Sequence, residues 1–227
     1  MKCGCFVTGT DTGIGKTLIA SALLHACRQR GLSAVGMKPV AAGMTDQDGR
    51  LLNEDVEAIV AASSVAADRK LVNPYLFVPP IAPHIAASEA GSHIDANHIV
   101  DCFNQLATMA DVVVVEGVGG FRVPLQGRFD TADLAVQLGL PVVLVVGMRL
   151  GCINHSLLTA EAIAARGLNC IGWVANQIDP EMSHLEENLA TLDALLDMPR
   201  LGLVEHLSEP DAQTVSSRIR LPEELVS

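Results

Sequence analysis

The segment Gly9-Thr10-Asp11-Thr12-Gly13-Ile14-Gly15-Lys16-Thr17 constrains this chain more than any other. It follows an apolar run, Cys3–Thr8, that reads as a strand, and it opens a helix-period segment that begins at Lys16. Strand, glycine-rich turn and helix N-terminus in this order are what a phosphate-binding loop requires. Consecutive backbone N–H groups make an anion-binding nest, and the helix dipole adds partial positive charge there. Lys16 then reaches β and γ phosphates, and the Thr17 hydroxyl is placed to bind Mg²⁺. The strict spacing of four residues between the glycines is not met, because Thr10 stands where the first glycine belongs. With Gly9 as that glycine, the loop is a variant with five intervening residues.

The rest of the chain repeats the same grammar. Strand candidates are Ala34–Lys38, Val112–Glu116, Val142–Val146, Cys170–Ala175 and Leu201–Val204, several of them apolar at nearly every position. Strands of that kind are covered on both faces, as in a parallel sheet between helical layers. Helix-period segments lie between them: Lys16–Arg30, Asp55–Ala62, Ala96–Met109, Thr131–Gln137, His155–Arg166 and His184–Leu196. The expected fold is a doubly wound, mostly parallel α/β sheet with helices on both faces, P-loop NTPase-like in type. No Gly/Ser or Pro-rich linker divides residues 1–227, so they read as one α/β domain. Two stretches resist this pattern. Residues 73–93 carry Pro74, Pro79, Pro80 and Pro83 and read as an irregular surface excursion, and residues 207–227 form a polar C-terminal segment.

Composition narrows the function classes. A formal charge of −11 argues against a sequence-independent nucleic-acid binder, which needs a basic surplus to neutralise phosphates. The longest apolar run, Leu140–Val146, is too short to span a bilayer, and no signal-like stretch precedes the first strand. The six cysteines are scattered over a chain too large to need a disulfide framework, so reduced core thiols in a cytoplasmic protein are expected. Cys3 and Cys5 alternate within one strand and should face the same side of the sheet.

Three further residues complete the expected site. Glu116 ends the run Val112–Val115 at the carboxyl edge of its strand, where open α/β sheets bind ligands and where a hard cation would find an oxygen donor. Asp55 is a second acid, although acids at that place equally stabilise a helix N-terminus. Lys38 ends the second strand and points either into the same crevice or into solvent as a strand-end charge. These features give a Mg-ATP-dependent enzyme or switch whose second substrate stays open.

Several blocks, in this order, resemble the dethiobiotin synthetase family: Phe6-Val7-Thr8-Gly9-Thr10-Asp11-Thr12, Gly15-Lys16-Thr17, Lys38-Pro39-Val40-Ala41, Val72-Asn73-Pro74-Tyr75, Pro83-His84-Ile85, Val115-Glu116-Gly117 with Gly119-Gly120, Leu150-Gly151-Cys152-Ile153-Asn154-His155 and Gly172-Trp173-Val174-Ala175-Asn176. The resemblance implies ATP-dependent carboxylation and ring closure of 7,8-diaminopelargonate with CO₂, through a carbamate and its phosphoric anhydride, giving ADP and phosphate. It implies that Thr17, Asp55 and Glu116 hold Mg²⁺, and that Gly13, Ile14, Gly15, Lys16, Gly117 and Gly119 border the nucleotide. It places Thr12, Lys16 and Lys38 at the reacting groups and Asn176 at the adenine. A homodimer is also implied, in which Gly151, Cys152, Ile153 and Asn154 close over the substrate carboxylate of the partner subunit from a helix start near Asn154. The sequence departs from the family pattern at Ala42, where a serine contacts substrate, and at Glu205, where a proline is usual near the nucleotide. Asp211 aligns as a candidate ribose-binding acid.

Three rival classes fit less well. Partition and division-site switch ATPases carry a lysine five residues before the loop lysine, and Asp11 stands there. Amide-forming synthetases related to cobyrinate amidation add a glutaminase domain that 227 residues cannot hold. Metal-chaperone GTPases would want clustered His and Cys and an Asn-Lys-x-Asp base motif, and neither is present.

Overall fold

The computed structural model describes residues 4–47 and 50–226. Cys3 lies outside them, so the expected pairing of Cys3 and Cys5 on one face is not addressed. In chain order the elements are β1 (Gly4–Gly9), α1 (Lys16–Gln29), β2 (Ala34–Met37), β3 (Val40–Ala42), β4 (Thr45–Gln47), β5 (Arg50–Leu52), α2 (Glu54–Ala62), α3 (Arg69–Val72), β6 (Tyr75–Phe77), α4 (Pro83–Glu89), α5 (Ala96–Leu106), β7 (Val112–Glu116), β8 (Pro124–Gln126), β9 (Phe129–Asp130), α6 (Thr131–Leu138), β10 (Val142–Met148), α7 (Cys152–Ala165), β11 (Cys170–Gln177), α8 (Leu185–Leu195), β12 (Arg200–Val204) and α9 (Ala212–Ser216).

Six strands form one wholly parallel sheet in the order β12-β11-β10-β1-β7-β2. The doubly wound α/β expectation holds. Parallel strands side by side require crossovers, and helices supply them. The alternation of β10 shows why its seven residues are all buried. Val143 and Val145 enter one apolar cluster, while Val142, Leu144, Val146 and Met148 enter another. Trp173 and Ala175 on β11 join the second cluster beneath α7 and α8. Each fully buried Val, Leu or Met side chain of these clusters contributes about 1.5–3 kcal/mol relative to exposure. The described cysteines are reduced: Cys5, Cys27, Cys102 and Cys152 are buried, and Cys170 is partly exposed with its thiol pushed up to about 11 by burial. No helix of the described residues is long and apolar enough to cross a membrane.

Two expectations need correction, and one unassigned segment gains a place. Residues 73–93 are not irregular throughout: β6 pairs in parallel with β3, and Pro83 opens α4 at a first-turn position where its missing N–H costs nothing. The prolines keep this segment out of the central sheet, as expected, without preventing local structure. The polar segment 208–226 packs onto the fold. Asp211 caps α9, which packs against α1, and Arg220 N donates to the Leu201 carbonyl at 2.8 Å. Finally, α7 starts at Cys152 rather than at His155, because Gly151 adopts φ 96° and turns the chain into the helix early.

The register of the central strands sets the crevice. Val7 pairs with Glu116 and Met37 with Val115, which brings Lys38, just past the end of β2, level with Glu116 at the end of β7. This edge lies where β1 and β7 are neighbours and the chain leaves to opposite sides, the position at which doubly wound sheets take ligands.

Candidate active site

The phosphate loop runs from Gly9 to Gly15 and delivers Lys16 and Thr17 as the first residues of α1. Gly15 has φ 84°, and a Cβ there would sit 2.2 Å from Asn176 Nδ2. Only glycine meets both demands, the left-handed backbone and the close approach of β11. Asn176, nearly buried on β11, donates from Nδ2 to the Ile14 carbonyl at 2.8 Å. That bond ties the loop to β11 and leaves the amide oxygen as an acceptor.

Behind the loop, four ionisable groups meet. Lys38 Nζ lies 2.5 Å from Glu116 Oε1 and 3.0 Å from Asp55 Oδ2, and donates to the Gly117 carbonyl at 3.2 Å. The Thr17 hydroxyl is 2.7 Å from Asp55 Oδ1 and 2.9 Å from Glu116 Oε1. Lys16 is buried and folds back so that Nζ donates to the Asp11 carbonyl at 2.8 Å. Lys38 is therefore no solvated strand-end charge. Only 2% of it is exposed, and its own carbonyl is pinned by Asn73 Nδ2 at 2.6 Å.

Burial and charge pull these groups apart electrostatically. Burial, then the charge of Lys38, depresses Lys16 from its ordinary 10.5 to about 8, against the opposing carboxylates. Burial acts against the Lys38 ammonium as well, but Glu116 and Asp55 overcome it and hold Lys38 above its usual range. Burial would raise Asp55, yet Lys38, with help from Thr17, keeps it below its usual range. Glu116 is pushed up, chiefly by burial and further by Asp55.

These residues suit a magnesium ion shared with phosphates. Glu116 Oε2 is buried without a hydrogen-bond partner, a lone carboxylate oxygen set beside a hydroxyl and a second carboxylate. Among the described residues no group of three or more His, Cys, Asp or Glu side chains is placed to hold a metal by itself. A hard divalent ion here would complete its oxygen shell from phosphates and water, as Mg²⁺ commonly does.

Asp55 reaches the cluster because Asn53 caps α2, accepting from Val56 N at 3.1 Å and donating to the Gly43 carbonyl at 2.6 Å. Ala42, half-buried, pairs with Phe77 on the strand that leads from Lys38 to this cap. Thr12 is exposed on the loop, its N–H bonded to Asp11 Oδ1 at 2.7 Å, and Gly119 stands close to it: a Cβ on Gly119 would be 3.6 Å from Thr12 Oγ1.

A cavity of about 300 Å³ opens beside Gly13 and Gly15, walled by Leu18, Asn176, Gln177, Ile178, Val204, Glu205, His206, Leu207 and Pro210. Asn176 and Glu205 thus line the same cavity. Asp211 does not join them: it is exposed at the start of α9, and its carboxylate is taken by Thr214 N at 2.8 Å and Thr214 Oγ1 at 2.5 Å. Gly151, Cys152, Ile153 and Asn154 form the first turn of α7, with Cys152 buried and Asn154 exposed. Preceding them, Leu150 is 96% exposed.

Sequence reasoning missed Asn53, Asn73 and Arg149. Asn53 was legible as a cap, standing before Glu54-Asp55 and an apolar period. Asn73 and Arg149 act through long-range contacts, to Lys38 and to Asp11, that carry no local signal.

A family model described as an AAA domain matches residues 4–214. In fold the chain is similar to a ParA family ATPase of Chlorobium tepidum TLS, with TM-score 0.56 and 14% identity over 100% of this chain and 98% of that one. It is similar also to the septum site-determining protein MinD of Pyrococcus horikoshii OT3, complexed with Mg-ADP, with TM-score 0.54 and 13% identity over 89% and 81% of the two chains. At such identity these likenesses carry the fold alone. Sequence likeness goes much further elsewhere. The chain is 58% identical over 217 residues to ATP-dependent dethiobiotin synthetase BioD of Aromatoleum aromaticum, covering 96% of each chain. It is 54% identical to the protein of that name from Ralstonia nicotianae, covering 95% of this chain and 94% of that one. Identity at this level over almost the full length of both partners shows the family, and on that ground the chain belongs to the dethiobiotin synthetase family of ATP-dependent enzymes.

Proposed function

We propose that the chain closes the ureido ring of dethiobiotin from 7,8-diaminopelargonate, CO₂ and ATP. The observation that carries this reading is Lys38, buried between Glu116 and Asp55 and backed by Lys16 across the phosphate loop. The chemistry calls for such a cluster. One amine of the substrate attacks CO₂ and loses a proton, giving a carbamate. A carbamate oxygen then takes the γ-phosphoryl group as ADP departs. The neighbouring amine attacks the activated carbon, phosphate leaves with the former carbamate oxygen, and the ring is closed. The carbamate and the triphosphate are both anions, so the approach needs fixed positive charge in a site shielded from water.

In this reading Lys38 faces the carbamate and transferring phosphoryl group, and Lys16 swings from the Asp11 carbonyl to the β and γ phosphates. Thr12 orients the substrate amines from the exposed side of the loop. Thr17, Asp55 and Glu116 would hold Mg²⁺, which when bound neutralises phosphate charge. Gly13, Ile14, Gly15, Gly117 and Gly119 border the phosphates, and the cavity at Asn176 and Glu205 takes the base, the free Asn176 oxygen accepting from an amino group. Asp211, exposed next to Pro210 of that cavity's wall, is the acid for the ribose in this reading, its capping bonds to Thr214 leaving further acceptor positions.

We infer further that two copies pair, with Gly151–Asn154 of one closing over the substrate carboxylate held by the other. Leu150 at 96% exposure and Leu158 at 57% favour this, because an apolar side chain so placed gains by burial against a second copy. ATP supply and six thiols that need no oxidation suit a cytoplasmic enzyme. The test incubates the purified protein with Mg-ATP, bicarbonate and 7,8-diaminopelargonate and follows the ring-closed ureide by mass spectrometry. Absence of product alongside plain ATP hydrolysis would overturn the reading.

A further inference from the structure

Asp11 is an acid inside an anion-binding loop, and the structure shows what makes that tolerable. Its Oδ1 accepts from Thr12 N at 2.7 Å, its carbonyl accepts from Lys16 Nζ at 2.8 Å, and its Oδ2 is held by Arg149. Arg149 stands immediately after β10. Its carbonyl accepts from Cys152 N at 3.0 Å, which closes the turn that starts α7 at Gly151. One arginine therefore touches the phosphate loop with its side chain and the first turn of α7 with its backbone. The Asp11–Arg149 contact is not dictated by neighbourhood in sequence, since 138 residues separate the two partners.

The physics gives the pair a task. A carboxylate in this loop repels phosphate, and its repulsion is strongest where the nest amides meet the anion. A guanidinium on its outer oxygen offsets that repulsion without itself occupying a loop amide. The same contact fixes the distance between the loop and α7.

We propose that Arg149 is a positioning residue: it neutralises Asp11 within the phosphate loop and holds that loop in register with the first turn of α7. The proposal rests on the reading of these two elements as the nucleotide and substrate-anion sites. It requires that Arg149→Ala harm binding through the exposed charge of Asp11, rather than through lost packing. Both side chains are partly exposed, so the variants should fold.

The test titrates a fluorescent ADP analogue into the full-length protein in the presence of Mg²⁺, which reads nucleotide affinity without any turnover. Arg149→Ala should weaken binding about tenfold, equal to about 1.4 kcal/mol. Arg149→Lys should keep it within about threefold, because the charge remains. Asp11→Asn combined with Arg149→Ala should recover most of the loss, since no uncompensated carboxylate is then left. Native affinity in Arg149→Ala, or a double variant no better than that single one, would overturn the proposal. In parallel, Arg149→Ala should raise KM for the diamine with kcat falling by less than KM rises. A fall in kcat alone would overturn the link to α7. Failure of the native protein to make ureide while the affinity series behaves as stated would count against the reaction and not against the pair.

Discussion

Lys38 Nζ sits 2.5 Å from Glu116 Oε1 at a place where both side chains are almost wholly buried. Removing one partner of such a pair leaves the other as an uncompensated charge, which costs about 3–5 kcal/mol. Lys38→Ala should therefore lower unfolding stability by an amount of this order without Mg²⁺, and part of the loss should return with Mg²⁺. It should cut turnover by about 10²–10³-fold, the scale of a lost electrostatic clamp, while ADP affinity changes much less. Denaturant unfolding with and without Mg²⁺, next to steady-state rates, checks both statements.

Glu116 Oε2, buried without a partner, is the oxygen best placed to meet a divalent ion. Glu116→Gln keeps the shape and removes the charge. Mg²⁺ should then add little to ADP affinity, whereas ADP binding in EDTA should match the native protein. Calorimetric titration under both conditions measures the difference. An undiminished Mg²⁺ effect in the variant would remove Glu116 from the ion's shell.

Lys16 carries the pH dependence. Its folded value, about 8, is below the 10.5 of an unfolded lysine, so the unfolded chain binds more protons between these values. Stability should rise with pH across that window as far as Lys16 governs it. Phosphate binding has the opposite sign, because the anion favours the charged ammonium. ADP affinity should hold up to about pH 8 and then fall by up to about tenfold per pH unit. Proton uptake on binding, absent from Lys16 at pH 7, should approach a full proton near pH 9. Calorimetry in two buffers of different ionisation enthalpy reads it directly.

Gly15 joins backbone conformation to the Asn176 contact. Gly15→Ala costs about 1–2 kcal/mol for its left-handed backbone alone, and the new methyl must displace the Asn176 amide. Nucleotide affinity should fall at least about 10²-fold, with a lowered melting temperature. Titration and thermal unfolding of the same sample separate the two effects.

Much of this was legible in the sequence because the signals are local. Val112–Glu116 shows itself as a strand by four valines and as a site by the acid that ends it. The phosphate loop declares itself by glycines and a lysine before an apolar period. The early start of α7 was hidden, because the left-handed turn at Gly151 reads equally as a loop glycine. The capping role of Asp211 toward Thr214 depends on a short helix that the polar C-terminal composition does not reveal. The Lys38–Glu116 pair lies between: the residues were visible, but their contact follows from the β2–β7 register, which no local pattern encodes. For the same reason the link of Asp11 to Arg149 emerges only from the folded chain.

In the proposed reaction a carbamate oxygen becomes the leaving oxygen, activated by phosphoryl transfer beside Lys16 and Lys38. Bicarbonate labelled with ¹⁸O, mixed with native protein, Mg-ATP and 7,8-diaminopelargonate, tests it in a single turnover read by mass spectrometry. Ring-closed ureide and ADP are expected in equal amounts, with label in the ureido carbonyl and a labelled oxygen in the released phosphate. Ureide whose companion phosphate carries no label, or ADP formed without ureide, would contradict that reaction.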